Sequence, residues 1–221
     1  METNFLEKYC GGEELDTPSK ILVAALIEFA DAPVKSVGTR DIARRAGVNI
    51  AAISYYFKGK DGLYAELITQ IIDYFEGLVK VYFDRHEALM LNPSKPEAAA
   101  LLKDYISWRV RSPKRGNGIH KYIFSILIRE EINKTPLFMQ VYSRLIKKND
   151  ALFRDCVKMV MGDKIGDEAA GTMGVIMLGT MMRLDLVPDS FALSMGWQSI
   201  GAEESEKILA AMLEMLDKVL A

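Results

Sequence analysis

Apolar residues recur three and four positions apart along most of this chain, interrupted by proline and glycine, while alternating apolar–polar runs closed by tight turns are almost absent. That pattern leaves helices as the building material. Thr17-Pro18 reads as an N-cap followed by proline at the first helical position, opening a helix that carries Leu22, Ala25, Leu26 and Phe29 to about Ala30. Thr39 is expected to cap a short second helix, with Asp41 at its positive dipole end and Gly47 as its stop. Asn49 is expected to cap a third, from Ile50 to about Tyr56. After Lys58-Gly59-Lys60-Asp61 a longer helix sets Leu63, Leu67, Ile71 and Phe75 on one stripe. Further helices are expected over 95–111, 117–132, 136–161, 166–183 and 203–220, joined at Pro93/Pro96, Pro113/Gly116, Pro136, Gly162 and Pro188. The expected fold is all-α. It divides into an acidic arm (1–16), a three-helix head (17–64) and a larger helical domain (65–221).

Several function classes are excluded early. With 28 Lys and Arg against 30 Asp and Glu, the net charge of −2 is not that of a polybasic chain, although a local basic patch remains open. The longest apolar run, 169–182, falls short of a membrane span and contains glycines. The first residues show no basic n-region followed by an apolar run, so a cytoplasmic location is expected. Cys10 and Cys156 form no C-x-x-C pair and read as reduced thiols. His86 and His120 are the only histidines, too few for a zinc site or a histidine triad, so neither metal nor cofactor is expected.

Residues 39–57, TRDIARRAGVNIAAISYYF, describe two short helices around a glycine turn. A helix-turn-helix has this form, and its second helix enters the DNA major groove. Gly47 permits the turn, Ala43 and Ala46 let the helices cross closely, and Val48 and Ile53 close the core beneath. A generic helical hairpin satisfies the same rules. Charge discriminates between them: residues 17–64 carry seven basic and four acidic side chains, net +3, while 1–16 carries −4 and 65–221 carries −1. The positive excess lies where phosphates would have to be met.

Residues 17–67 also resemble the DNA-binding domain of TetR/AcrR-type transcriptional regulators, on ILVAALIEFA, TRDIARRAGVNIAAISYYF and KGKDGLYAEL. The remainder resembles the CecR (YbiH)-like branch, on NIAAISYYF with KGKDGLY and on FSILIREEINKTPLF at 124–138. The resemblance implies a dimeric repressor whose hold on double-stranded DNA is released by a small molecule. Carried over to matching positions, Thr39 would offer its amide and hydroxyl to a phosphate, and Tyr56 and Lys60 would hold phosphates. Arg40 is the candidate for a bidentate contact to guanine; its alternative is a solvated surface arginine. Lys58 is a further phosphate candidate, and Tyr55 is expected to pack in the head's core. The recognition segment Asn49, Ile50, Ala51, Ala52 and Ser54 offers mostly methyl groups, so specificity is expected from Arg40, Ser54, van der Waals contact and DNA shape together.

Eleven of the twelve methionines lie in 65–221. Core packing explains them; an adaptable pocket wall is the alternative, with Met173 and Met177 beside Tyr105, Trp108, Phe124 and Tyr142 as candidate ligand contacts. Arg109, His120 and Arg129 are its candidate polar groups. Arg129 lies in an apolar run and needs a partner if buried, from Glu130 or a neighbouring helix, or else from a ligand carboxylate. Small residues in 166–183 and the apolar stripe Ile208, Leu209, Met212, Leu213, Leu216 and Leu220 are read, by the resemblance, as a two-fold homodimer interface. No nucleophile elbow or phosphate loop supports an enzyme, and Glu130-Glu131 on one helical turn does not make opposed carboxylates. A protein-interaction module that has lost DNA binding is the other alternative, favoured by the acidic arm.

Overall fold

The computed structural model describes residues 3–111 and 118–220, which contain helices and no strand. In order these are α1 (Phe5–Gly11), α2 (Thr17–Asp31), α3 (Thr39–Ala46), α4 (Ala51–Phe57), α5 (Lys60–Leu91), α6 (Lys95–Arg111), α7 (Ile119–Asn133), α8 (Phe138–Val141), α9 (Lys147–Met161), α10 (Asp167–Leu186), α11 (Pro188–Ser194) and α12 (Ala202–Leu220). The expected all-α class holds. A π-helical turn, Tyr142–Ile146, joins α8 to α9 where one unbroken helix was expected. The segment 112–117, with the expected break at Pro113/Gly116, lies outside the described residues.

Two compact units result, one of residues 3–78 with 118–145, the other of 79–111 with 146–220. Helix α5 runs through from the first to the second, so the boundary expected at 64/65 falls inside a single helix.

In the first unit, Ile21, Leu22, Leu26 and Phe29 of α2, Ile42 of α3, Ile53 of α4 and the predicted α5 stripe Leu63, Leu67 and Ile71 are at most 2% exposed. The N-terminal segment is not a free arm. Phe5 and Leu6 are buried, Asn4 Nδ2 donates to the Gln70 carbonyl at 2.7 Å, and the Phe5 amide donates to Gln70 Oε1 at 3.1 Å. The cap of α2 is Asp16 rather than Thr17: its Oδ1 accepts from the Ser19 amide at 2.9 Å, and Pro18 follows in the first turn. Lys8 Nζ donates to Asp16 Oδ2 at 2.6 Å. The Lys8 bond first, then those from Ser19, hold the Asp16 carboxyl down at about 2. A carboxyl lowered on folding stabilises fully above its unfolded pKa of about 3.9. Its contribution therefore fades as pH falls from about 4 through about 2. Carboxyl NMR titration is expected to place Asp16 near the bottom of that window, and Lys8→Met to move it upward.

Helix α7 packs on α2 within this first unit. Ser125 Oγ donates to the Ala30 carbonyl at 3.2 Å, and the Arg129 guanidinium donates to the carbonyls of Phe29, Ala30 and Ala32. These are the last carbonyls of α2 and its C-cap, acceptors that a helix leaves unsatisfied and where its dipole favours a cation. Glu130, 1% exposed, accepts from the Tyr64 hydroxyl at 2.6 Å and from Thr135 Oγ1. Of the two structural partners expected for Arg129, Glu130 or a neighbouring helix, it takes the second: adjacent helix positions point to different neighbours, Arg129 to α2 and Glu130 to α5. Burial, then the Glu130 carboxylate, push the Tyr64 phenol upward.

In the second unit α9 packs on α10 and α6, and α12 packs on α6. Gly174 is needed for one of these approaches: a Cβ there would lie 2.9 Å from the Phe153 Cβ. Ala170 and Gly174 thus pack within the chain, while Gly179 is exposed beside Val175 and Ile176. Ile208, Leu209, Met212 and Leu216 of α12 are buried in the same unit, so most of the predicted stripe is internal core. Among the described residues no single helix is long and apolar enough to cross a membrane, although the bent pair α10–α11 passes on length and composition.

Candidate nucleic-acid interface

Helices α3 and α4 meet at Gly47, whose left-handed φ of 67° lets its amide return to the Ala43 and Arg44 carbonyls. Gly38, not Thr39, is the N-cap of α3; Thr39 is its first helical residue, so its amide and hydroxyl still stand at the helix start. Arg40 is exposed. Arg44 pairs within α3 with Asp41 at 2.6 Å, and Arg45 ties α3 to α2 through Glu28 at 2.7 Å. Arg40, Lys58, Lys20 and Lys35 are the head's other exposed cations.

Asn49 Oδ1 accepts from the Ala51 amide at 2.9 Å and so starts α4, although Ile50 occupies the formal cap position. Ile53 and Phe57, four residues apart, point into the head. At about 100° per residue this turns Ala51, Ser54 and Tyr55 outward. All three are exposed, with Ala52 half-buried, Ile50 43% exposed and Tyr56 45% exposed. Tyr55 corrects an expectation: it is 81% exposed rather than in the core, because it lies two residues from each buried anchor and hence on the far side of the helix. Its ring meets Tyr56 edge to face at 4.9 Å.

Lys58 ends α4 in the left-handed conformation, its side chain exposed and its amide donating to the Ser54 carbonyl at 3.1 Å. Lys60 points elsewhere. Its ammonium donates to the carbonyls of Val34, Lys35 and Val37 at 2.9, 3.3 and 3.0 Å, bracing the loop that leads into α3. An ammonium has three donors, and here all three are engaged.

The nine candidate ligand contacts divide between the units. His120, Phe124, Arg129 and Tyr142 belong to the first; Tyr105, Trp108, Arg109, Met173 and Met177 belong to the second. His120 is buried among Tyr74, Phe75 and Phe124, with ring centroids 6.3–6.4 Å away. Tyr142 is 37% exposed and lies beside Phe138. Tyr105 packs edge-on to Tyr82, Trp108 and Phe153, and burial raises its phenol to about 12. Arg109 pairs with the buried Asp185 at 2.7 Å, a partner that no local signal announced, since 76 positions separate the two. Met177 is core, and Met173 packs against that core. No group of three His, Cys, Asp or Glu side chains among the described residues is placed to hold a metal.

Residues 21–67, spanning α2 through the first turns of α5, match the family model described as bacterial regulatory proteins, tetR family. Over these residues the head is similar to bacterial regulatory proteins of the tetR family. The chain is similar to "Probable HTH-type transcriptional regulator YttP" of Bacillus subtilis (strain 168), 26% identical over 141 residues, 64% of this chain and 63% of that one. The match thus spans under two thirds of that relative's length. "HTH-type transcriptional dual regulator CecR" of Shigella flexneri is 23% identical over 203 residues, covering 91% of this chain and 90% of its own. In fold, the chain is similar to the crystal structure of HlyIIR, a hemolysin II transcriptional regulator, with a TM-score of 0.54 at 20% identity, covering 88% and 96% of the two chains.

Proposed function

We propose that the protein is a homodimeric, ligand-responsive repressor that binds a palindromic operator through paired α3–α4 heads and is released by a small molecule bound in the helical domain, 65–221. The exposed face of α4, opposite Ile53 and Phe57 in a segment that matches a regulator family, carries this reading. Thr39, Arg40, Tyr56 and Lys58 supply the phosphate and base contacts around it. Asn49 and Lys60 shape the interface, one starting α4 and the other fixing the loop before α3. The dimer is assigned to the exposed faces that α10 and α12 retain: Thr172, Val175, Ile176 and Gly179 on one, Ala210, Ala211 and Met215 on the other. Two-fold symmetry would set the recognition helices about 34–36 Å apart, or a multiple of that. The small molecule acts by binding the DNA-incompetent state more tightly, and the unbroken α5 is the covalent route by which its effect reaches the head.

The test is selection from a pool of randomised duplexes. An enriched inverted repeat with half-sites one or more helical turns apart is the expected result; no enrichment contradicts the reading. On that site Arg40→Ala is expected to weaken binding by about 1–3 kcal/mol and to relax the base preference at one position per half-site, measured by competition with single-base variants.

A further inference from the structure

We propose that Tyr55 is a base-reading residue of the head, its ring lying against a thymine methyl in the major groove; this rests on the DNA-binding reading above. Four observations place it there. First, Ile53 and Phe57 define the buried direction of α4, and Tyr55 lies nearly opposite to it, on the outward face one turn after the helix's first residue, Ala51. Second, at 81% exposure it contributes little to the head's core, so folding does not require an aromatic ring there. Third, its neighbours on that face are short: Ala51 four residues before it and Ser54 beside it let the helix axis approach the base edges, leaving the phenol ring as the largest group that reaches them. Fourth, Tyr56 meets the ring edge to face at 4.9 Å and an interplanar angle of 85°, an arrangement that aromatic pairs favour.

The chemistry selects the base. The face offers methyl groups, the Tyr55 and Tyr56 phenols and the Ser54 hydroxyl, with the Asn49 amide oxygen already used to start α4 and no guanidinium fork, so it is poorly equipped to read guanine or adenine by paired hydrogen bonds. The C5 methyl of thymine is the major-groove feature that an apolar surface recognises. Tyr55 would therefore specify thymine within the half-site, while Arg40, on the preceding helix, reads a different position.

The test uses the full-length protein and the duplex it enriches from the randomised pool, with each thymine replaced in turn by deoxyuridine, which removes only the methyl. For the unaltered protein, one symmetry-related pair of replacements is expected to weaken binding several-fold. Tyr55→Ala should bind the parent duplex about tenfold more weakly and lose the sensitivity to that replacement, while remaining sensitive to base changes elsewhere. Tyr55→Phe, which keeps the ring, should keep both. The exposed position makes loss of folding a poor explanation, and an unchanged circular dichroism melt confirms this for each variant. An equal deoxyuridine penalty in Tyr55→Ala and the unaltered protein, or no penalty in either, overturns the assignment while leaving DNA binding intact. Failure of the unaltered protein to enrich any duplex overturns the DNA-binding reading itself.

Discussion

Gly62→Ala is expected to disrupt the junction between α4 and α5 and, on the proposed function, to weaken DNA binding. A Cβ at Gly62 would stand 2.0 Å from the Phe57 carbonyl oxygen, and that atom is backbone, with no flexible side chain to move aside. The chain has little slack there. Lys58 is already left-handed at φ 58°, Gly59 takes φ 108°, and the Leu63 amide returns to the Gly59 carbonyl at 3.0 Å. Relief requires α4 to shift against α5, pulling Phe57 and Ile53 from the core. The cost belongs at the upper end of overpacking, about 3 kcal/mol. Gly77 provides the opposite control on the same helix. It is exposed with nothing within 4 Å of an added Cβ, so Gly77→Ala should stabilise by about 0.5–1 kcal/mol through helix propensity alone. Urea unfolding of the two variants should therefore move in opposite directions. A Gly62→Ala protein as stable as the parent would show that the α4–α5 turn is built differently.

Arg129→Ala is the second large effect. Its guanidinium serves three carbonyls at the end of α2, and truncation leaves them without that donor and removes a cation from the negative end of the helix dipole. Hydrogen bonds to a charged group contribute about 1.5–3 kcal/mol, and the dipole adds up to about 1 kcal/mol more. A loss of about 3 kcal/mol is expected. Arg129→Lys should recover part of this, because a single ammonium keeps the charge but lacks the planar fork that reaches several oxygens at once. The expected order in urea midpoint is Arg129, then Arg129→Lys, then Arg129→Ala. Three equal midpoints would remove the tie between α7 and α2 from any role in stability.

These two sites also show how far the sequence could be read. The helix-turn-helix was legible because local chemistry encodes it: Gly47 supplies the left-handed turn, Asn49 starts the next helix, and the apolar spacing sets Ile53 and Phe57 inward. Cap positions were displaced by one residue, from Thr17 to Asp16 and from Thr39 to Gly38, since neighbouring small or polar residues compete for the same role. Tyr55 was misplaced because an aromatic pair resembles core material, although counting from Ile53 and Phe57 would have put it outside. The partners of Arg129 and Arg109 lay beyond sequence reasoning. One arginine is satisfied by backbone carbonyls about 100 residues away, which no residue type advertises, and the other by Asp185 on a helix whose packing had to be seen. The burial of Phe5 and Leu6 was hidden behind the acidic residues that surround them. In α10, small residues serve two purposes: Ala170 and Gly174 admit α9, while Gly179 lies on an exposed face.

The salt dependence of binding to the enriched duplex is the most direct measurement of the central claim, that the α3–α4 head grips duplex DNA through its phosphates and groove. Each neutralised phosphate contributes about −0.9 to the slope of log K against log salt concentration. Two heads, each neutralising at least two phosphates with Lys58 and neighbouring cations, predict a slope of about −4 or steeper, reduced by about 1 per head in Lys58→Ala. A slope near zero, or one that Lys58→Ala leaves unchanged, would contradict it.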